Sequence, residues 1–362
     1  MTKLKERIKR LIAANGPISV ADYMALCLFD PEDGYYTNRE PFGTEGDFTT
    51  APEISQMFGE LIAVWLRSAW EATGGPLPVT IAEIGPGRGT LMKDILRTLA
   101  KLDPSLVAQA SFAMIETSPR LAEIQKKTLT GTQARIDWHQ SIKTLPAAPL
   151  FIVGNELFDA IPIRQFVRTS GKWQERVVGL NDTGELQFLA GAASLDPSLL
   201  PANAATASDG TIAELAPART ALMDAIADRI ATLGGAGLFI DYGHLEPGIG
   251  DTLQALRKHK YEDVLASPGH ADITSHVDFS ALAATARGKQ LDAHVMTQGH
   301  FLLEMGLLER AGQLGAAQDA VGQEKIRRQV ERLAAPSAMG DLFKVLAILP
   351  SGTAVSPFSD AD

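Results

Sequence analysis

Two hydrophobic rhythms alternate along the chain. Leu4, Ile8, Leu11 and Ile12 share one face at helical spacing, and Asn15, Gly16 and Pro17 end that helix. Ser19 is a good N-cap for a second helix through Tyr23 and Leu26. Phe58, Leu61, Ile62, Trp65 and Leu66 draw an apolar stripe along a helix over 53–73. The period then shortens: Val79 to Ile84 alternates β-branched residues as a buried strand does, and Leu91, Ile95 and Leu99 restore the helical spacing directly after it. The same exchange recurs. A strand over 111–115 precedes a helix over 118–129, and short strands follow at 134–138 and 150–153. A helix over 217–233 leads to a buried strand at 237–240, a helix from Thr274 or Ser275 runs to Arg287, and the chain ends in a strand at 290–297, helices at 299–310 and 316–334, and a strand at 342–349. Strands alternating with helices predict an α/β fold with a mostly parallel sheet.

Two stretches interrupt this pattern. Between Arg164 and Ala190, short strand-like runs separated by turns at Ser170-Gly171 and Asn181 to Gly184 predict an inserted β meander, followed by an irregular loop over 191–211. Residues 245–276 form a second irregular insertion. The predicted organisation is therefore an N-terminal helical extension with a cofactor-covering loop over 1–75, a core over 76–163 and 217–362, a β-rich insertion over 164–216, and a second insertion over 245–276 within the core. There is no internal repeat.

Composition adds exclusions. At 45% apolar and 21% charged residues the 362-residue chain can bury a proper core. Its net charge of −10 argues against nucleic acid as a partner and suits a cationic substrate. Cys27, the single cysteine, rules out an intramolecular disulfide and a cysteine-based zinc site, and no metal is expected. No apolar stretch approaches the roughly 18 residues of a membrane span, so stable membrane insertion is not expected.

The chemistry gathers where strand meets helix. Glu83, Gly85, Gly87 and Gly89 follow the first core strand, and glycine suits a turn whose backbone must bend sharply and approach a ligand closely. A dinucleotide fingerprint would place its third glycine where Thr90 stands, and a P-loop would need a lysine after the glycines. An acid followed by G-x-G-x-G is instead the usual first motif of S-adenosylmethionine methyltransferases. Their second strand ends in an acid that grips the ribose diol, a place filled by Glu116. In such a fold the loop after the third strand meets the adenine, with Trp138, His139 and Ser141 as candidates and Ser141 carried into the cofactor set. The final strand would be the antiparallel one of these sheets. A second cluster, Asn155, Glu156 and Asp159, falls at the carboxyl end of the fourth core strand, where reactive groups collect in open parallel sheets. Asp159 would share a face with Glu156 if a helical turn begins there.

These motifs occur together and in order with Gly46 to Glu53, Asp241 to His244, Thr274 to Phe279 and Met339 to Lys344. The set resembles the MidA family of S-adenosylmethionine-dependent methyltransferases over nearly the whole chain. The resemblance implies a Rossmann-like class I sheet and S-adenosylmethionine as cofactor. Because mitochondrial members act in assembly of respiratory complex I, it also implies symmetric dimethylation of an arginine on a subunit of that complex. On this reading Glu156 pairs with the target arginine, Asn155 orients it, Asp159 and Asp47 are further acids, and Phe48 with Asp47 closes the site over the cofactor. The N-terminus lacks an Arg- and Ser-rich transit segment, which fits a bacterial cytoplasmic protein. Other uses of the fold stay open: a non-catalytic S-adenosylmethionine-binding assembly protein, or a methyltransferase for another protein or a small molecule. The oligomeric state is not legible.

Overall fold

In the computed structural model, which describes residues 2–38 and 49–358, the longest apolar runs of the core lie side by side in one sheet. The strands along its main path are β1 (Thr80–Ile84), β2 (Ser111–Ile115), β3 (Ile136–His139), β4 (Leu150–Asn155), β5 (Gly235–His244), β6 (Leu291–Thr297) and β7 (Phe343–Pro350). Their spatial order is β6-β7-β5-β4-β1-β2-β3. Pairing is parallel from β5 through β3, while β7 runs antiparallel to both β5 and β6. The sheet is thus mostly parallel with an antiparallel last strand. All five residues of β1 are buried, because a parallel strand covered on both faces has no polar side.

Helices cover it as their stripes require. Helix α1 (Gln56–Ala72) buries Phe58, Leu61, Ile62, Trp65 and Leu66, and helix α2 (Thr90–Leu102) buries Leu91, Ile95 and Leu99. Helix α3 (Pro119–Thr128) starts at a Ser118 cap. After β1 the chain builds outward through β2 and β3; β4 then sits on the other side of β1 and the chain builds outward again. The order reverses between β1 and β4, and in open α/β sheets ligands bind outside the carboxyl ends of the strands at such a switch point.

The chain divides into two units. This sheet belongs to the unit made of Thr49–Leu157, Leu222–Leu245 and Phe279–Asp362. The other unit gathers Met1–Phe48, Phe158–Ala221 and Glu246–Asp278. In it, Lys172–Leu180 pairs antiparallel with Ile18–Ser19, Arg164–Thr169 and Leu186–Ser194, and Arg164–Thr169 pairs with Ile212–Leu215. Its core joins Leu4, Ile8, Tyr23 and Cys27 to Val178 and Ile273.

Several elements depart from the sequence expectation. The helix expected over 53–73 is broken at Ser55, which is extended and caps α1, while Gln329 Nε2 donates to Ile54 O at 2.8 Å. The two helices expected over 299–334 are three, because Gly306 is left-handed and Asp319 caps the last one. The stretch 245–276 is not wholly irregular: Gln254–Arg257 pairs antiparallel with Lys260–Glu262 and Asp272–Thr274.

Candidate active site

The turn after β1 is held in a conformation that its glycines permit. Gly85, Gly87 and Gly89 have φ values of 66°, 51° and 81°, all left-handed. At Gly85 the space is closed as well, since a Cβ there would lie 2.9 Å from Leu157 Cδ1. Gly85 N donates to Ile115 O at 3.1 Å, and Gly89 N to Pro86 O at 2.7 Å, so the turn is bonded at both ends before α2 begins.

Glu83 is buried, and its Oε2 accepts from Met92 N at 3.0 Å, satisfying one of the open N–H groups of the first turn of α2. Burial pushes its carboxyl up to about 8, against that hydrogen bond and with the charge of Glu116 adding to the rise. Thr90 Oγ1 donates to Glu53 Oε1 at 2.6 Å, a contact with no sequence signal because the two residues belong to distant segments.

Glu116 stands just past β2, where its N–H continues the ladder to His139 O at 2.8 Å. Its Oε1 accepts from Ser118 N at 2.7 Å and its Oε2 from Gln125 Nε2 at 3.0 Å. Burial raises its carboxyl above the usual range, opposed by these hydrogen bonds. Gln125 also donates to Gly87 O at 2.9 Å and accepts from Trp138 Nε1 at 3.0 Å. Ser141 caps the turn Ile142–Thr144, its Oγ accepting from Lys143 N at 3.2 Å.

At the end of β4 the geometry differs. Asn155 is level with Ile240 of β5, and Glu156 N donates to Ile240 O at 2.8 Å. Glu156 has a φ of 51°, a left-handed conformation that strains a residue bearing a Cβ by about 1–3 kcal/mol. Its Oε1 accepts from Asn155 Nδ2 at 3.1 Å and from Ala51 N at 3.4 Å. Asn155 Oδ1 is buried and meets no hydrogen-bond donor among the described residues. Leu157 then packs at Gly85, bringing the end of β4 against the glycine turn.

The carboxyl ends of β1, β2 and β4 and the turns after them therefore carry Glu83, Gly85, Gly87, Gly89, Glu116, Asn155 and Glu156. The left-handed bend at Glu156 replaces the helical turn expected to align Asp159 with it, and Asp159 belongs to the other unit. There its carbonyl accepts from Ser275 N at 3.2 Å and from Arg219 Nη2 at 3.0 Å. Arg219, 2% exposed, also donates to Ile161 O, His276 O and Ser275 Oγ, pinning both loops. Asp47 and Phe48 lie outside the described residues. Gln125 and Arg219 were not singled out from sequence, and Glu53 entered only as the end of the Gly46 to Glu53 motif, with no role of its own. Only Gln125 left a trace, as a polar residue at four-residue spacing between Leu121 and Leu129.

The residues fit S-adenosylmethionine: left-handed glycines at the strand-to-helix turn and an anchored carboxylate at the end of β2. A family model for S-adenosyl-L-methionine-dependent methyltransferases matches residues 61–297. The chain is 35% identical over 379 residues to the mitochondrial protein arginine methyltransferase NDUFAF7 of Homo sapiens, covering 97% of this chain and 84% of that one. It is 35% identical over 375 residues to the Drosophila melanogaster homologue of that protein, covering 96% and 85%. A crystal structure from Burkholderia thailandensis bound to S-adenosyl-homocysteine superposes with a TM-score of 0.81 at 28% identity, covering 96% of this chain and 91% of that one. The protein is thus an enzyme whose cofactor is S-adenosylmethionine, and the chain belongs to the MidA family of S-adenosylmethionine-dependent methyltransferases.

Proposed function

We propose that this enzyme methylates an arginine of a protein substrate, by symmetric dimethylation of a respiratory complex I subunit in the bacterial cytoplasm. The observation that carries the reading is the pair at the end of β4: a carboxylate held in a strained left-handed conformation beside a buried carboxamide oxygen that meets no donor among the described residues. Strain of this kind persists where surrounding structure enforces it, and it clusters at working sites. When bound, S-adenosylmethionine supplies an electrophilic methyl group. A guanidinium has a pKa above about 12 and no free lone pair while charged, so the protein must hold and polarise it. Glu156 supplies the carboxylate for that pairing, and Asn155 Oδ1 accepts a guanidinium N–H. Asp47 and Asp159 are proposed as further acids, with Phe48 beside the cofactor. Gly85, Gly87 and Gly89 line the methionine portion, Glu83 supports the turn, Glu116 takes the ribose diol, and Ser141 lies at the adenine. The insertions over 164–216 and 245–276 offer surface to a protein substrate. The curated relatives support the acceptor class, since they are protein arginine methyltransferases at 35% identity over most of the chain.

The test is incubation of the enzyme with labelled S-adenosylmethionine and cell extract, followed by mass spectrometry. Symmetric dimethylarginine on a complex I subunit is the expected result. Label confined to a small molecule, or full methyl transfer by a Glu156→Gln variant with normal cofactor binding, would overturn it.

A further inference from the structure

We propose that Gln125 is a positioning residue for the cofactor, tying the ribose carboxylate Glu116 and the carbonyl of the glycine turn into one unit through a single carboxamide. The inference rests on the reading of Glu116 as the ribose ligand.

Gln125 is fully buried in α3, on the apolar face between Leu121 and Leu129, where a core residue of similar length such as leucine or methionine would satisfy packing alone. A carboxamide buried there must find partners for its polar atoms, and this one does so on both sides. Indole N–H is donor only, so the 3.0 Å contact with Trp138 Nε1 fixes the carboxamide oxygen on that side. The NH₂ group then faces its two acceptors, Gly87 O at 2.9 Å and Glu116 Oε2 at 3.0 Å. The orientation of the amide is thereby settled by its neighbours.

Each bond fixes something different. The bond to Gly87 O holds the middle of the left-handed turn, and the carbons of Gln125 lie 3.5 Å from where a Cβ on Gly89 would sit, so α3 is seated directly on that turn. The bond to Glu116 Oε2 complements the one from Ser118 N to Oε1, so the carboxylate is gripped at both oxygens from the α3 side. A carboxylate has about four acceptor positions, and these bonds leave it able to accept from a diol. Gln125 adds no charge, so Glu116 keeps its own. The methionine cradle and the ribose ligand are therefore not independent: one side chain sets the distance between them.

The test measures binding by calorimetry, with S-adenosyl-homocysteine and its 2′-deoxyribose counterpart as probes. Wild type is expected to prefer the hydroxylated probe by about tenfold, the worth of a hydrogen bond to a charged group. In Gln125→Met the preference is expected to fall below about threefold, because a released Glu116 no longer meets the hydroxyl in a fixed place. A purely structural role would weaken both probes alike and leave the ratio unchanged; that result in folded Gln125→Met overturns the proposal. Glu116→Gln is measured in parallel. If it keeps the wild-type ratio, or if wild type shows no preference, the ribose reading of Glu116 fails and this inference with it. If Glu116→Gln loses the ratio and Gln125→Met keeps it, only the role of Gln125 fails. Should Gln125→Met not fold, Gln125→Glu decides. A protonated acid can donate to Glu116 and a charged one cannot, so the preference should return as pH falls, and a flat profile overturns the proposal.

Discussion

The carboxyl ends of β1 and β4 lie beside each other in the middle of the sheet, yet they are finished differently. Around the β1 turn Glu83, Glu116 and Gln125 all have hydrogen-bond partners at 2.7–3.0 Å. At the β4 end Glu156 is strained, and Asn155 keeps a buried acceptor that meets no donor among the described residues. A closed network holds its shape before a ligand arrives, which suits a cofactor common to many methyl acceptors. An open acceptor and a strained carboxylate are features to be completed by something brought in, which suits the acceptor. The difference teaches where to look for specificity: on the proposed roles it lies at the β4 end, because the β1 turn is already closed by its own hydrogen bonds.

The sharpest way to break this division is Glu156→Gln. The variant can still accept from Ala51 N and Asn155 Nδ2 but loses the charge, so kcat is expected to fall about 10²–10³-fold with cofactor affinity near wild type. Loss of cofactor binding in calorimetry would instead assign Glu156 to the cofactor half. Gly87→Val tests the other side. A β-branched residue at a φ of 51° is strained by about 1–3 kcal/mol and forces the turn out of its shape, so affinity for S-adenosylmethionine is expected to fall by about tenfold or more. Undiminished affinity would remove the turn from the cofactor site.

The strain contrast can be measured directly. Gly85→Ala puts a methyl 2.9 Å from Leu157 Cδ1 at a left-handed φ and should lower stability by about 1–3 kcal/mol. Glu156→Gly relieves a strained residue and should keep or raise the melting temperature while activity is lost. A fall in melting temperature as large as that of Gly85→Ala would make Glu156 a structural residue.

The contrast can also be tested by pH, through Glu83. Its carboxyl holds its proton to about 8 in the folded protein, against 4.5 ordinarily. A raised value stabilises the folded state fully below about 4.5, and that contribution is lost as pH rises to about 8. Glu83→Gln is neutral throughout, so its stability relative to wild type should improve between pH 5 and pH 8 in thermal melts. A constant difference across that range would show that Glu83 is ionised in the fold.

What the sequence determined by itself was local. Period-two and helical spacings placed β1, α2, β4 and β7, because side chains repeat their facing within one element. The glycine spacing after Glu83 separated this turn from dinucleotide and P-loop turns, since backbone conformation there depends on residues within a few positions. The tertiary structure alone decided what depends on distant segments meeting. Gln329 at Ile54 accompanies a break in a helix that its own residues would continue. Gln125 reaches Glu116, Gly87 and Trp138 only because α3 folds back onto two strand ends. The left-handed bend at Glu156, which local preference disfavours, is one that only the surrounding fold can hold in place.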